Sequence, residues 1–215
     1  IRKELPADIP LIGFGGAPFT LASYAIEGQG SKNYINVKCM MATDPGAFHA
    51  IMEKMTASAI DYLNYQIDEG VQAIQIFDSW VGCLSVSDSR NHVFAHSKKL
   101  IDSISGKVPV IHFGTGNSSL LPLMTEAGGD VMALDWRAPL KESWELLGCK
   151  AVQGNMDPIA LFGSVDSVRQ AAGLILEEVG GRPGHIFNLG HGILPETPVE
   201  NVKALVEFVQ GYQTS

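Results

Sequence analysis

The chain has 215 residues, of which 46% are hydrophobic and 18% charged, and its formal net charge is −8. This length fits one large domain, and the apolar content is sufficient for a substantial core, so the composition argues against global disorder. The acidic balance, with no basic run, argues against nucleic acid or a membrane surface as the main partner. No apolar stretch reaches the roughly 18 residues that a membrane-spanning helix needs.

The three cysteines, Cys39, Cys83 and Cys149, are far apart and show no CxxC or Cys/His ligand spacing. The spacing indicates neither a disulfide framework nor a structural zinc site, so we expect no metal. The first ten residues lack the apolar core of a signal peptide. Together these features favour a reducing, cytoplasmic-type compartment.

Six short apolar runs recur along the chain, each followed by a helical pattern. They are IPLIGF (9–14), AIQIFD (73–78), VPVIHF (108–113), DVMALD (130–135), AVQGNM (151–156) and HIFNLG (185–190). Apolar residues fill most positions in these runs instead of alternating with polar ones, which is typical of parallel strands buried on both faces. We therefore predict about six βα units.

The segments between the runs carry helix start signals. Asp44 before Pro45 predicts an N-cap followed by the first residue of a long helix. TPVE, residues 197–200, predicts a capping box, and GNMDP predicts a turn in which Asp157 caps a helix.

Two architectures fit six βα units. An open doubly wound sheet is complete with six strands, whereas a TIM (β/α)₈ barrel of six units is incomplete. Small and polar residues follow nearly every run, in GGAPFT, DSW, GTGN, DWRAP, NMDP and GHG. A barrel places all its βα loops on one rim, whereas an open sheet concentrates its site at one switch point. This distribution favours the incomplete barrel.

Two strand exits stand out as candidate ligand sites. GFGGAPFTLASY, residues 13–24, is a glycine-rich exit into a helix that could hold an anion, although a tight packing turn also explains it, and Tyr24 alone reads as a packing residue. FDSWVG, residues 77–82, ends a strand with an acid, a hydroxyl and an indole. Either these groups face a ligand, or Ser79 caps the next segment and Trp80 fills the barrel mouth.

Three further residues each have a structural and a functional interpretation. His191, between two glycines, either belongs to a tight turn or lies on the rim at the strand ends, where a barrel binds its ligand. Asp135 and Arg137 predict a rim salt bridge rather than a catalytic pair.

Five motifs in the same order resemble those of the uroporphyrinogen decarboxylase family. PLIGFGGAPFTLASYAIEG is similar to the family's PLIGFxGxPxTLxxYxxEG, and QIFDSWVG, ALDWRAPL, GNMDP and FNLGHGILPETP resemble its later motifs. The resemblance covers essentially the whole chain. It implies an eight-stranded α/β barrel that works as a homodimer without metal or organic cofactor.

The resemblance also implies a reaction and a set of substrate contacts. The family's carboxy-lyases remove carbon dioxide from the four acetate side chains of uroporphyrinogen III, giving coproporphyrinogen III for haem and chlorophyll synthesis. The family's substrate-contacting tyrosine falls on Tyr24, its strand-end serine on Ser79 and its GHG histidine on His191, and Phe77 is placed to pack against the macrocycle. The expected location is cytoplasmic, or the plastid of a photosynthetic eukaryote.

The front of the chain departs from the family pattern. The family begins with a segment that carries two site arginines and, after its second strand, a site aspartate, and nothing in residues 1–10 matches it. IPLIGF matches the third strand, so the six units correspond to strands 3 to 8. We therefore expect residues 1–215 to be the C-terminal part of a single barrel domain, with the site aspartate and arginines upstream and no certain catalytic residue in this chain.

Two other functions stay open. Barrel methyltransferases linked to cobalamin hold zinc through a His-x-Cys pair after the strand that matches VPVIHF, but here Phe113 and Gly114 follow His112, so the cysteine is absent. The second alternative is a non-catalytic barrel that binds a porphyrin.

Overall fold

The computed structural model describes residues 1–213. The chain divides into two compact units, Ile1–Val131 and Met132–Ser215. Along the described residues, six β-strands alternate with nine α-helices so that at least one helix follows every strand. This succession is the βα repeat of a (β/α)₈ barrel, with the six units that the sequence predicted. None of the helices in the described range combines the length and the apolar character that a membrane crossing requires.

The first unit contains the elements up to residue 127. Its strands are β1 (Ile12–Gly16), β2 (Ala73–Asp78) and β3 (Val110–Gly114), and its helices are α1 (Pro18–Glu27), α2 (Ile35–Thr43), α3 (Pro45–Asp68), α4 (Val86–His92), α5 (Phe94–Ile104) and α6 (Leu121–Ala127). β1 pairs with β2 and β2 pairs with β3, in parallel. Phe77 of β2 lies opposite Gly16 on one side and Phe113 on the other.

The core of the first unit fixes β2 between helices and neighbouring strands. Ile74 and Ile76 of β2 belong to one buried apolar cluster with Leu63 of α3 and Leu100 of α5. α3 begins as predicted, because the side chain of Asp44 accepts a hydrogen bond from the backbone N–H of Ala47 at 2.9 Å. A strand held this way presents its carboxyl end in a defined position.

The second unit carries shorter strands than the sequence predicted. β4 (Val131–Ala133) begins at the last residue of the first unit, and β5 (Ala151–Gln153), β6 (His185–Ile186), α7 (Leu140–Leu147), α8 (Val165–Val179) and α9 (Val199–Gly211) follow. The strand order is β4-β5-β6, and β5 pairs with β6 in parallel. β5 ends at Gln153, because Gly154 has a φ of 132°, outside the extended region. Backbone bonds to the segment of β6 nevertheless continue, from the N–H of Gly154 to the carbonyl of Ile186 at 2.9 Å and from the N–H of Met156 to that of Asn188 at 3.1 Å.

The capping box predicted for residues 197–200 is wrong. α9 begins at Val199 after Pro198, with no side-chain cap, and the Thr197 hydroxyl instead accepts a hydrogen bond from the backbone N–H of Leu194 at 3.1 Å. The hydroxyl therefore closes the loop that follows GHG. The cap predicted for Asp157 is confirmed: its side chain accepts from the N–H of Ile159 at 2.9 Å.

Candidate functional site

Three phenylalanines form a row across the strands of the first unit. The ring centroids of Phe14 and Phe77 are 6.0 Å apart and those of Phe77 and Phe113 are 5.8 Å apart, both pairs in edge-to-face arrangement. Phe14 is 59% exposed and Phe77 is half-buried. Phe113 at the far end of the row is buried, so only the rings of Phe14 and Phe77 offer apolar surface to a ligand.

Tyr24 and Trp80 form a close aromatic pair at the exits of β1 and β2. Their ring centroids are 3.9 Å apart with the ring planes tilted by 37°, and Tyr34 contacts Trp80 edge-to-face with a centroid distance of 5.2 Å. Tyr24 keeps half of its surface exposed, and Ser79, next to Trp80, is half-buried. Both interpretations of Tyr24 are therefore compatible with its position, because the ring packs while half of the residue remains accessible.

A buried polar link joins the start of α1 to the exit of β2. The hydroxyl of Thr20 donates a hydrogen bond to Oδ1 of Asp78 at 3.0 Å and accepts one from the backbone N–H of Trp80 at 3.3 Å. Thr20 is 5% exposed and Asp78 is 1% exposed. Because Tyr24 follows one turn after Thr20 on α1, this link holds Tyr24 and the segment with Ser79 in a fixed relation.

Burial changes the protonation of two residues behind the strand exits. The pKa of Asp78 is raised to about 7, because burial disfavours the carboxylate and the bond from Thr20 offsets this only in part. Burial lowers the pKa of His112 to about 4. The nearby carbonyls of Gly128 and Met124 oppose this shift, although neither ring nitrogen makes a hydrogen bond of regular geometry. At neutral pH the imidazole of His112 is therefore neutral.

Asp78 and His112 line the same small cavity. It has a volume of about 20 Å³, and the hydroxyls of Ser89 and Ser97, which find no hydrogen-bond partner among the described residues, also line it. The rest of the lining is apolar, formed by Val81, Val93, Phe94, Leu120, Leu123, Met124 and Ala127. A space of this size holds about one water molecule, so the cavity is too small for an organic substrate.

The exits of β4 and β6 meet in the second unit. The rings of Trp136 and His191 are in edge-to-face contact with centroids 6.0 Å apart, and a Cβ atom on Gly190 would clash with the backbone of Trp136. Oδ2 of Asp135 accepts a hydrogen bond from Nη1 of Arg137 at 2.9 Å, so the predicted salt bridge is confirmed. GHG therefore supplies both a close backbone approach and an exposed imidazole.

The structure gathers the predicted site residues in two places. Tyr24, Phe77 and Ser79 lie at the strand exits of the first unit, whereas His191 lies in the second unit beside Trp136. Thr20 was not among the predicted site residues, because a threonine inside GAPFT carries no signal that it bonds to an acid 58 positions away. Across the described residues, no group of three or more His, Cys, Asp and Glu side chains is arranged to hold a metal ion.

Parallel βα units with polar and aromatic strand exits define a chain of the (β/α)₈-barrel class. The solved structure of a methyltransferase from Methanosarcina mazei shares the fold, with a TM-score of 0.83 over 98% of this chain and 61% of its own, at 24% sequence identity. That likeness concerns the fold alone. The chain belongs to the uroporphyrinogen decarboxylase family, whose model matches residues 1–212.

Individual relatives agree with the family match. Uroporphyrinogen decarboxylase from Carboxydothermus hydrogenoformans is 53% identical over 97% of this chain and 60% of its own length. The enzyme of the same name from Koribacter versatilis is 51% identical over 100% of this chain and 62% of its own length. The predicted family resemblance is confirmed, and the chain spans about 60% of the length of these curated relatives.

Proposed function

We propose that this chain is part of a uroporphyrinogen decarboxylase, a carboxy-lyase that converts the four acetate side chains of uroporphyrinogen III into methyl groups and yields coproporphyrinogen III. The family match over residues 1–212 carries the proposal, supported by relatives of that name at about 50% identity. Family membership favours this function over a methyltransferase or a non-catalytic porphyrin-binding barrel.

The chemistry of the reaction suits the groups at the strand exits. Each decarboxylation adds a proton to the pyrrole-acetate unit and breaks the bond to the carboxylate carbon, which leaves as carbon dioxide. The enzyme has to orient a large polycarboxylate and keep its ring face out of water. The half-buried ring of Phe77 supports an apolar contact with the macrocycle, as part of the aromatic row with Phe14 and Phe113.

Polar groups of the same chain are proposed to bind substrate carboxylates. The phenol of Tyr24 and the hydroxyl of Ser79 are hydrogen-bond donors at the exits of β1 and β2, and the link through Thr20 fixes their surroundings. The imidazole of His191 is exposed at the exit of β6. Their proposed role is to position carboxylates and to stabilise charge, without metal or organic cofactor.

We further propose that the chain forms the C-terminal part of one barrel domain. An aspartate for the pyrrole N–H groups and two arginines for carboxylates then come from a part of the longer protein outside these residues. The proposal includes a cytoplasmic homodimer, and the molar mass of the longer protein in solution by light scattering tests the dimer. A mass equal to one chain at micromolar concentration would rule the dimer out.

The decisive experiment uses the longer protein that contains this chain. It is incubated with uroporphyrinogen III under anaerobic, reducing conditions, and the products are oxidised to porphyrins and separated by their number of carboxylates. We expect stepwise loss of four carboxylates, unchanged after dialysis against a chelator. Recovery of intact substrate, under conditions in which a known decarboxylase completes the conversion, would refute the proposed function.

The assigned contacts are tested in the same assay. His191→Ala and Tyr24→Phe are each expected to lower kcat/KM about tenfold or more, because each removes a hydrogen bond to a charged group. Ser58→Ala, on the exposed face of α3, is the control and should leave kcat/KM unchanged. Wild-type kinetics for His191→Ala would show that His191 is only part of a turn and does not contact the substrate.

A further inference from the structure

The exit of β4 holds an arginine in an unusually defined position. Nη1 of Arg137 donates a hydrogen bond to Oδ2 of Asp135 at 2.9 Å, and its backbone N–H donates to Oδ1 of the same carboxylate at 2.8 Å. The guanidinium carbon lies 3.7 Å from the centroid of the Trp136 ring. Two contacts, one polar and one with an aromatic ring, therefore fix the plane of the guanidinium.

The loop that carries Arg137 is anchored on both sides. The side-chain amide of Asn155 donates to the backbone carbonyl of Asp135 at 2.8 Å and to that of Ala138 at 2.7 Å. Asn155 and Asp135 are buried, and Asp135 has no exposed surface. Both anchors lie in the second unit, so the backbone around Arg137 has little freedom.

The arginine nevertheless faces outward. Its side chain is 52% exposed, whereas that of Asp135 is 0% exposed. A guanidinium has five N–H donors, and the bond to Asp135 engages one of them. The ion pair therefore presents its positive end outward, and a fixed planar guanidinium matches the geometry of a carboxylate.

The position of Arg137 relates it to a residue of the proposed site. The Trp136 ring on which it stacks is in edge-to-face contact with His191. The close approach of Gly190 to the backbone of Trp136 holds the exits of β4 and β6 together. Arg137 and His191 thus share one aromatic support at the carboxyl ends of the strands, where barrels of this class bind their ligands.

We propose that Arg137 binds a carboxylate of the substrate next to His191, with Trp136 as the platform that orients the guanidinium. This inference rests on the proposed function, because it takes the substrate to be a tetrapyrrole with many carboxylates. A surface ion pair with no further role needs neither a buried acid, nor a stacked ring, nor a doubly anchored loop. The group that Arg137 binds is a carboxylate side chain of a tetrapyrrole, either a porphyrin or its reduced porphyrinogen.

The test compares Arg137→Gln and Arg137→Lys in the longer protein, with Arg169→Gln as the matched control. Arg169 is an exposed arginine on α8 of the same unit. We expect Arg137→Gln to raise KM for uroporphyrinogen about tenfold with kcat changed less than threefold, because a hydrogen-bonded ion pair to substrate is lost. Lysine should restore only part of the affinity, since it replaces a planar fork by a point charge.

The double variant Asp135→Asn/Arg137→Gln separates binding from folding, because it leaves no unpaired buried carboxylate behind. A KM as high as that of Arg137→Gln supports the proposal. A KM that returns to the wild-type value overturns the proposal, because the effect of Arg137→Gln then came from the unpaired buried carboxylate of Asp135. An Arg137→Gln variant whose KM equals that of Arg169→Gln also overturns it.

A binding assay keeps this inference distinct from the proposed function. Uroporphyrin is titrated against each variant, and quenching of tryptophan fluorescence gives Kd. If the longer protein decarboxylates but Arg137→Gln keeps the wild-type KM and Kd, the inference fails and the function stands. If no variant decarboxylates and Arg137→Gln still weakens uroporphyrin binding about tenfold, the function fails and the carboxylate site stands.

Discussion

At the scale of single residues, burial determines the chemistry behind the strand exits. Asp78 and His112 line one cavity, and loss of water shifts their pKa values in opposite directions, because the charged form of each is disfavoured. Asp78 is held by the hydroxyl of Thr20 and His112 by packing among α5 and α6 residues that line the same cavity. Two measurable properties follow.

The first is the pH dependence of folding. The pKa of His112 is about 4 in the folded chain and 6.5 ordinarily. Between these pH values the unfolded chain binds a proton that the folded chain lacks. The free energy of unfolding therefore falls as the pH is lowered. The pKa of Asp78 is about 7 in the folded chain and 3.8 ordinarily. Between these pH values the folded chain binds a proton that the unfolded chain lacks, so the free energy of unfolding falls as the pH rises. From about pH 4 to 6.5 the two slopes oppose each other.

We therefore predict pH profiles of opposite slope for two variants. With Asp78→Asn, the free energy of unfolding should rise with pH between about 4 and 6.5, by at most about 1.4 kcal/mol per pH unit, and with His112→Gln it should fall. Urea unfolding at several pH values measures both slopes, and the wild type should be flatter than either. Slopes of the same sign in the two variants would contradict the assignment of both protonation states.

The second property is the coupling of two strand exits through Thr20. Thr20→Val keeps the shape but removes the hydroxyl that bonds to Asp78 and to the N–H of Trp80, so kcat/KM of the longer enzyme should fall about tenfold. Thr20→Ser should recover most of it. The fluorescence emission of Trp80, whose ring contacts that of Tyr24, should shift in the valine variant.

The matched control for Thr20 is Thr56→Val. Thr56 is also buried, but its hydroxyl donates to the backbone carbonyl of Met52 at 2.7 Å and lies 3.4 Å from Nδ1 of His96 on α5, away from the strand exits. This variant should alter stability without altering kcat/KM. Equal losses of kcat/KM in Thr20→Val and Thr56→Val would mean that Thr20 has only a packing role.

At the scale of elements, a side chain covers part of an edge of β1. Nε2 of Gln66 donates to the carbonyl of Phe14 and Oε1 of Gln66 accepts from its N–H, both at 2.9 Å. The amide of Gln66 thus makes the pair of bonds that a residue of a neighbouring strand makes. The side chains of Ile12 and Phe14 on the same strand are 47% and 59% exposed. Uncovered strand edges with apolar side chains promote association between chains.

We predict that Gln66→Leu increases the self-association of residues 1–215 produced alone, in which β1 is the first strand of the sheet. Removing the amide leaves the N–H and carbonyl of Phe14 available for pairing with another chain, and the substitution adds apolar surface. Light scattering during incubation near 37 °C measures the rate, with Ser58→Ala on the same helix as the control. An aggregation rate equal to that of the control would show that the Gln66 bonds do not protect the edge.

At the scale of the whole molecule, stability is distributed unevenly. β2 and β3 carry residues of the large buried cluster, and every position of β3 is buried. β6 has only two residues, one half-buried and one exposed. Hydrogen exchange of backbone amides follows such differences, because poorly buried segments open without global unfolding.

The corresponding prediction is a ranking of exchange rates. Amides of β2 and β3 should exchange slowest, and those of β6 faster by about tenfold or more, since less packing must be broken to open β6. Hydrogen–deuterium exchange followed by mass spectrometry measures this in the folded chain. Protection in β6 equal to that in β3 would show that burial of side chains does not set the ranking.

The sequence by itself determined the repeat, the number of strands and the family. Each of the six predicted runs overlaps an observed strand, and β2 has the predicted bounds, because continuous apolar patterning is a local property of the chain. The cap at Asp44 was also predictable, since a cap bonds to a backbone group three residues away. The candidate contacts Tyr24, Phe77, Ser79 and His191 came from motif resemblance, and their roles stay predictions.

Only the tertiary structure decided what surrounds those residues. β5 is shorter than its apolar run, because the positive φ of Gly154 ends the extended geometry, and Thr197 bonds within a loop instead of capping α9. The bond between Thr20 and Asp78 and the stacking of Arg137 on Trp136 beside His191 depend on which strand exits become neighbours. Periodicity and propensity report on the few residues around each position, whereas a buried hydrogen bond or a shared aromatic platform forms between segments that packing brings together from distant parts of the chain.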